Sequence, residues 1–244
     1  SSGNHGAAVA YALQQLGKPA IIFVPEQTSS AKVAKIPAAG ADVRKFGTDG
    51  LDTEEYARRY ADDNGLFYVS PYNDAAVVAG QGTLGVELLA EAGRLDAVFV
   101  AVGGGGLISG VGSVLKAAST DIRIIGCQPA ASPIMQASVA AGRILDLPSE
   151  PTLSDGTAGG IEADSITFPL CRAVVDEFVV VDEAAIAAGM RQYMAEFDEA
   201  IEGAAGVAIA ALLARPDLAA GGRVAVIVCG GNVSDATLAQ AGLA

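Results

Sequence analysis

The chain has 244 residues, of which 15 are Lys or Arg and 28 are Asp or Glu, so its formal net charge is −13. An acidic surface repels phosphate backbones, which argues against nucleic-acid binding through a basic face. Apolar residues make up 51% of the chain and charged residues 18%, a composition that excludes disorder and supports a large buried core.

Short apolar runs, several rich in β-branched residues, alternate with helical segments along the chain. Such runs are typical of strands buried on both faces of a sheet. Gly17 and Pro19 end the first predicted helix, and Asp182 caps a later one. This alternation indicates an α/β fold with a largely parallel sheet. The predicted strands are Ala20–Val24, Asp42–Phe46, Leu66–Val69, Ala97–Val102, Ile122–Cys127, Phe178–Val181 and Arg223–Cys229.

Two packed lobes are expected, a small one over residues 1–74 and a large one over residues 75–244. The stretch Ala97–Leu115 carries no charge and reaches the length of a membrane span. Four consecutive glycines interrupt it, and a strand, a loop and a helix explain it better than a span does. We therefore expect no membrane attachment.

Cysteine and histidine are scarce, which limits the chemistry of any site. Cys127, Cys171 and Cys229 lie far apart and form no C-x-x-C pair. We expect Cys127 and Cys171 to be buried, reduced thiols in a cytosolic protein. His5 is the single histidine, which excludes a metal site with two histidine ligands, and excludes a Ser-His-Asp triad unless His5 serves in it.

Two glycine-rich loops have the form of anion sites. Gly103–Gly106 is a run of four glycines between a strand and the predicted helix Leu107–Ala118, and can present backbone N–H groups to a phosphate. Neither the Rossmann fingerprint nor a Walker lysine fits it, so a non-nucleotide phosphate is favoured over a simple turn. Residues 1–6 read SSGNHG and run into a helix. Either Ser1 and Ser2 only cap that helix, or a strand before them is missing.

Three other motifs are ambiguous when each is taken alone. Cys229–Asn232, with the sequence CGGN, can be an ordinary turn after a strand. Glu202 precedes a helix, where an acidic residue is favourable in any protein. Asp155-Gly156-Thr157 can be a common Asp-Gly turn.

The order of the motifs is more specific than any one of them. The motifs are SSGNHG (1–6), AGQGT (79–83), GGGGL (103–107), LSDGTAGG (153–160), EGAAGVA (202–208) and CGGN (229–232). With these motifs in this order, the chain resembles the fold type II pyridoxal-phosphate enzymes, and within them the threonine/serine dehydratase and serine racemase group. The resemblance implies a tryptophan synthase beta-like fold, a two-lobed three-layer α/β sandwich with mostly parallel sheets.

The resemblance implies pyridoxal 5′-phosphate as the cofactor. The tetraglycine loop would bind its phosphate, Asn4 its 3′-oxygen, and Cys229 would face its pyridine nitrogen. A neutral thiol there would leave the nitrogen largely unprotonated and favour loss of a β-substituent. The residues implied to bind the cofactor are Asn4, Gly103, Gly104, Gly105, Gly106, Leu107, Gly156, Glu202 and Cys229.

The same resemblance assigns the substrate site to the SSGNHG loop. Its backbone N–H groups would bind the substrate carboxylate, through Ser1, Gly3, Asn4 and His5. Ser2 would act as an acid or base on the face opposite the catalytic lysine.

Two features of the chain differ from the family pattern. The Schiff-base lysine of the family precedes the SSGNHG loop, and none of the five lysines here stands in such a motif. We therefore expect an N-terminally incomplete sequence, inactive as it stands, that lacks the first part of the large lobe. Many relatives bind a divalent cation through a Glu where this chain has Gln128, and a neutral amide is a poorer ligand, so no metal is expected.

The resemblance implies a dehydratase, or ammonia-lyase, that converts a β-hydroxy amino acid such as threonine or serine to a 2-oxo acid and ammonia. A serine racemase activity is the alternative within the class. A non-catalytic binding protein is the alternative outside it, favoured by the missing lysine. The expected partners are an amino-acid substrate and a second copy of the chain, in the cytoplasm.

Overall fold

A computed structural model describes residues 3–28, 33, 36, 40–48, 50–219 and 222–243. The chain divides into two compact units, residues 1–71 and 72–244. This division lies three residues before the boundary that the sequence predicted after residue 74.

The first unit contains a pair of parallel strands with a helix before and a helix after it. Its strands are in register from the pair Ile21 and Asp42 onwards. Helix α1 begins at Asn4, so Asn4, His5 and Gly6 form its first turn. The elements are α1 (Asn4–Gln15), β1 (Ile21–Val24), β2 (Asp42–Lys45) and α2 (Gly50–Asp63).

The strand predicted over Leu66–Val69 is not formed, so this expectation was wrong. A strand needs a neighbour about 4.8 Å away to form a hydrogen-bonded ladder. Instead, Leu66–Val69 lines a cavity of about 300 Å³, whose lining also includes Ile21, Ile22 and Phe23 of β1. The segment therefore keeps its apolar sequence without pairing, and Phe67 is 84% exposed.

The second unit alternates strands and helices as the sequence predicts. Asp182 caps α7, because its carboxylate accepts a hydrogen bond from the N–H of Ala185. The elements are α3 (Ala75–Ala92), β3 (Ala97–Ala101), α4 (Gly106–Ala118), β4 (Arg123–Pro129), α5 (Ile134–Ala141), a 3₁₀ turn (Asp155–Thr157), α6 (Thr167–Val174), β5 (Glu177–Val181), α7 (Glu183–Phe197), α8 (Gly203–Ala214), a 3₁₀ turn (Pro216–Leu218), β6 (Val224–Val226) and α9 (Asp235–Gln240).

The four strands of this unit form a parallel sheet in the order β5-β4-β3-β6. Side chains alternate between the two faces of β3. Phe99 packs in one core with residues of α7 and α8, whereas Val98 and Val100 pack in another with residues of α4 and α5. Helices thus cover both faces, which confirms the α/β class with parallel sheets.

Helices α3 and α4 cross closely at glycines. A Cβ on Gly110 of α4 would overlap the carbonyl oxygen of Val78 in α3, and one on Gly82 would lie 3.3 Å from the carbonyl oxygen of Gly110. Gly82 belongs to the AGQGT motif, and this contact explains the motif as helix packing. Neither α3 nor any other helix in the described part of the chain is long and apolar enough to cross a membrane.

Candidate functional site

The tetraglycine loop joins the carboxyl end of β3 to the first turn of α4. Gly105 caps α4 with a φ of +84°, a left-handed conformation that glycine adopts without strain, and no side chain caps this helix. The first N–H groups of a helix have no partner within it. The loop therefore presents free backbone donors at the positive end of the α4 dipole, the arrangement that binds anions.

The side of the loop where side chains would stand is filled by other residues. A Cβ on Gly103 would lie 3.0 Å from Cα of Thr157, and one on Gly104 would overlap the ring of Tyr72. At Gly105 a Cβ would lie 2.8 Å from Sγ of Cys171. Close packing therefore excludes a side chain at Gly104 and Gly105 and leaves little room for one at Gly103.

The Asp155–Thr157 turn, which packs against Gly103, is itself held by hydrogen bonds. Ser154 Oγ and Thr157 Oγ1 are 2.6 Å apart and both buried. Glu183, at the start of α7, accepts hydrogen bonds from Thr152 Oγ1 at 2.6 Å and from the N–H of Leu153 at 2.7 Å. These bonds fix the turn beside the tetraglycine loop, which we call the cradle.

Glu202 and the CGGN motif lie against each other. The N–H of Glu202 donates to the carbonyl oxygen of Gly230 at 2.9 Å, and Glu202 Oε1 accepts from the N–H of Asn232 at 2.7 Å. A Cβ on Gly230 would lie 2.5 Å from Glu202 Oε1, and one on Gly156 would lie 3.9 Å from Glu202 Oε2. Glu202 thus connects the turn at Gly156 with the loop that follows Cys229.

Cys229 carries a neutral thiol at this site. Burial, together with the nearby Glu202 carboxylate, raises the pKa of the Cys229 thiol to about 11. At pH 7 the group is therefore protonated. Contacts link Gly103, Gly156, Glu202 and Cys229 through Thr157 and Gly230, so four predicted site positions of the second unit lie together. Leu107, in the first turn of α4, packs on the core beside that unit's sheet.

The predicted carboxylate loop lies in the first unit, at the start of α1. Gly3 caps this helix and Asn4 is exposed in its first turn. His5 Nε2 lies 3.0 Å from the carbonyl oxygen of Val69; because a carbonyl only accepts, the neutral ring carries its proton on Nε2. Burial lowers the pKa of His5. Ser1 and Ser2 lie outside the described residues.

Two of the lysines contact groups of the protein in the structure. Lys116 Nζ lies 2.8 Å from Asp176, and Lys45 Nζ donates to the carbonyl oxygens of Glu26 and Thr28. Lys32 and Lys35 lie outside the described residues.

Gln128 is buried, and its amide groups are used within the protein. Gln128 Nε2 donates to the carbonyl oxygen of Val102 at 3.0 Å, and Oε1 accepts from the N–H of Gln136 at 2.7 Å. Among the described residues, no three His, Cys, Asp or Glu side chains are grouped as metal ligands.

Three residues that shape the cradle were missed in the sequence. Tyr72 covers Gly104, and its hydroxyl accepts from the N–H of Glu162 at 3.0 Å. Thr167 Oγ1 donates to the carbonyl oxygen of Gly104 at 2.5 Å. Neither residue stands in a motif, so only the folded chain shows their role. Thr157 had a signal, since it follows Gly156 in LSDGTAGG.

Three features of this site fit a pyridoxal-phosphate cofactor. They are a loop without side chains, backbone N–H groups at the start of α4 that have no partner within the helix, and a neutral thiol nearby. The family model described as "Pyridoxal-phosphate dependent enzyme" matches residues 1–230. The chain therefore belongs to the family of pyridoxal-phosphate dependent enzymes, and pyridoxal phosphate is its cofactor.

Particular relatives agree with this class. The chain is 38% identical over 233 residues to the L-threonine ammonia-lyase of Thermotoga maritima, covering 96% of this chain but 58% of that protein. It also resembles the solved structures of maize serine racemase (33% identity, TM-score 0.89) and of the processed threonine deaminase isoform 2 of Solanum lycopersicum (31% identity, TM-score 0.91). The match to the maize structure spans 98% of this chain and 74% of the maize chain, and the match to the Solanum lycopersicum structure spans 99% of this chain and 71% of that one. The fold type II assignment is thereby confirmed.

Proposed function

We propose that the protein containing this chain is a pyridoxal-phosphate dependent dehydratase, or ammonia-lyase, of β-hydroxy amino acids. The observation that carries the proposal is the neutral Cys229 thiol beside Glu202. Support also comes from relatives named for threonine and serine, which share a hydroxyl group on the β-carbon. The net reaction converts threonine to 2-oxobutanoate and ammonia, or serine to pyruvate and ammonia.

When bound, the cofactor supplies an electron sink for the bond broken at the α-carbon. The tetraglycine loop would hold the phosphate through its backbone N–H groups. Cys229 would offer the pyridine nitrogen a neutral hydrogen-bonding group and place no negative charge on it. A neutral partner at this position would favour loss of the β-hydroxyl over other fates.

The N-terminus of α1 is proposed to bind the substrate carboxylate. The backbone N–H groups around Gly3, Asn4 and His5 are at the positive end of the helix dipole, which favours a carboxylate. His5 ties this first turn to Val69 and so holds the donors in place. Ser2 is proposed as the proton carrier on the face opposite the catalytic lysine.

Serine racemase activity is the second candidate. It is favoured by the likeness to maize serine racemase over 98% of this chain. Both activities start by removing the α-proton, and they differ in whether the β-hydroxyl leaves or a proton returns to the opposite face. A non-catalytic binding role stays open for the 244 residues alone, because none of their lysines stands in the family's lysine motif.

We further propose that the protein works in the cytoplasm as a homodimer. The three free cysteines fit a reducing compartment. The dimer rests on the family resemblance, and light scattering on the purified protein tests it.

The test uses the protein expressed from its complete reading frame, supplied with L-threonine, L-serine or L-alanine. We expect 2-oxo acid and ammonia in equal amounts from the first two, and nothing from L-alanine, which has no β-hydroxyl. Cys229→Ser should keep the product ratio, since a hydroxyl is also neutral. Cys229→Asp should protonate the ring nitrogen and shift products towards the D-amino acid and transamination. A D-amino acid as the main product of the unmodified protein would favour the racemase.

A further inference from the structure

Hydroxyl groups behind the tetraglycine loop determine which way one of its peptide groups faces. Thr167 is fully buried, and its Oγ1 lies 2.5 Å from the carbonyl oxygen of Gly104. A carbonyl oxygen only accepts hydrogen bonds, so the single hydroxyl hydrogen of Thr167 is donated to Gly104.

A second hydroxyl completes a directed chain of hydrogen bonds. Ser165 Oγ lies 2.7 Å from Thr167 Oγ1 and accepts from the N–H of Thr167 at 3.3 Å. Because Thr167 gives its hydrogen to Gly104, Ser165 must donate to Thr167 Oγ1. Both side chains are buried, and hydrogen bonds arranged head to tail polarise and strengthen one another.

The planar peptide group transmits this orientation to the other side of the loop. In a trans peptide, the C=O of one residue and the N–H of the next point in opposite directions. The carbonyl of Gly104 points at Thr167, so the N–H of Gly105 points away from Thr167 and out of the packed side of the loop. Gly105 N–H is one of the donors that the loop offers to a phosphate.

The hydrogen of the Thr167 hydroxyl is used outside its own helix. Thr167 is the first residue of α6, and its hydroxyl donates to no group of that helix, because its one hydrogen goes to Gly104. It is directed to another element 63 positions away in the sequence. Tyr72, in turn, fills the space beside Gly104 but leaves the carbonyl oxygen to Thr167.

We propose that Thr167 and Ser165 are positioning residues for the phosphate of the cofactor, acting through the Gly104–Gly105 peptide. The proposal rests on the proposed function only in that the tetraglycine loop binds this phosphate. The two hydroxyls touch neither cofactor nor substrate. They hold one N–H donor ready before the phosphate arrives, so less free energy is lost in ordering the loop on binding.

The experiment compares Thr167→Ser with Thr167→Ala in the protein expressed from its complete reading frame and freed of bound cofactor. Both variants lack the methyl group and differ only in the hydroxyl. The probes are pyridoxamine 5′-phosphate and pyridoxamine, which differ only in the phosphate and have no aldehyde to react with surface lysines. Calorimetric titration gives both affinities. Thr53→Ser and Thr53→Ala form the matched control, because Thr53 is also buried and its hydroxyl donates to the carbonyl oxygen of Phe46 at 2.8 Å.

We expect Thr167→Ser to bind pyridoxamine 5′-phosphate within about threefold of the unmodified chain, and Thr167→Ala about tenfold more weakly, the effect of one lost hydrogen bond. Pyridoxamine should bind all variants alike, and the Thr53 pair should not differ. Equal affinities of Thr167→Ser and Thr167→Ala for the phosphorylated probe would overturn the positioning role alone. An unmodified chain that does not prefer the phosphorylated probe would overturn the cradle itself.

Ser165→Ala provides an independent route if Thr167→Ala fails to fold. It leaves Thr167 and Gly104 in place but removes both the donor to Thr167 Oγ1 and the acceptor of the Thr167 N–H. A loss of about threefold in affinity for pyridoxamine 5′-phosphate, with pyridoxamine unaffected, is expected. An unchanged affinity would refute the directed chain.

Discussion

Glu202 Oε1 accepts a hydrogen bond from the backbone N–H of Asn232 at 2.7 Å, across 30 positions of sequence. The same carboxylate raises the pKa of the Cys229 thiol, in addition to the larger effect of burial. One side chain therefore shapes the CGGN loop and adds to the effect of burial on the pKa of its cysteine.

Replacing Glu202 should separate these two effects. Glu202→Gln keeps an oxygen that can accept from Asn232 but removes the charge, whereas Glu202→Ala removes both. We expect the Cys229 pKa to fall in both variants, and only Glu202→Ala to lose stability, by about 1 kcal/mol. Rates of iodoacetamide labelling against pH report the thiol, and Cys127 and Cys171, both 0% exposed, should label slowly. An unchanged labelling profile in Glu202→Gln would contradict the electrostatic effect.

Gly105 and Gly142 form a matched pair for testing the cradle. Both have positive φ, +84° and +72°, but a Cβ on Gly142 meets no atom within 4 Å, whereas one on Gly105 lies 2.8 Å from Cys171 Sγ. Alanine at Gly142 should cost about 1 kcal/mol, the strain of the left-handed conformation alone. Alanine at Gly105 should cost more and should also weaken binding of pyridoxamine 5′-phosphate at least tenfold.

Thermal unfolding and calorimetric titration measure the two effects of this pair. Gly142→Ala is expected to bind the phosphorylated probe as the unmodified chain does. Normal binding by Gly105→Ala or Gly105→Asp would show that the phosphate lies elsewhere.

His5 should make stability depend on pH in a known direction. Burial lowers the pKa of His5 below its usual 6.5 in the folded state. The unfolded chain then binds the proton more readily, so stability is greatest above pH 6.5 and falls as the pH drops below it, by at most about 1.4 kcal/mol per unit. Because the chain has one histidine, a single imidazole resonance in NMR reports this pKa directly.

The variant His5→Gln can still donate to Val69 but does not titrate. Between pH 8 and 5.5 its melting temperature should change less than that of the unmodified chain. If the melting temperatures of the two proteins changed equally with pH, the pH dependence would belong to other groups.

The 244-residue chain should not turn over substrate by itself. None of its five lysines stands in the family's lysine motif. Lys116 is moreover held by Asp176, and Lys45 donates to two carbonyl oxygens. Incubated with pyridoxal phosphate and threonine, the chain should release no 2-oxobutanoate above a cofactor-only blank. Release at about 1 per second or faster would refute this prediction.

The sequence by itself determined the fold class and the list of candidate site residues. Short apolar runs predicted β3 to β6 to within a few residues, because the strands of a sheet covered by helices are mostly apolar. Four glycines after a strand predicted a phosphate cradle, since such a loop is a local property of the backbone. The strand expected at Leu66–Val69 shows the limit, because a strand exists only where another strand is near enough to pair.

The tertiary structure alone decided which remote side chains contact the motifs. Thr167 is 63 positions from Gly104, and Glu202 is 30 positions from Asn232. No local pattern distinguishes these side chains from other buried threonines or helix-terminal glutamates. Their roles arise when chain folding brings a hydroxyl to one carbonyl oxygen and a carboxylate to one N–H. Hydrogen bonds depend on distances of about 3 Å, and such distances between remote residues are properties of the packed molecule.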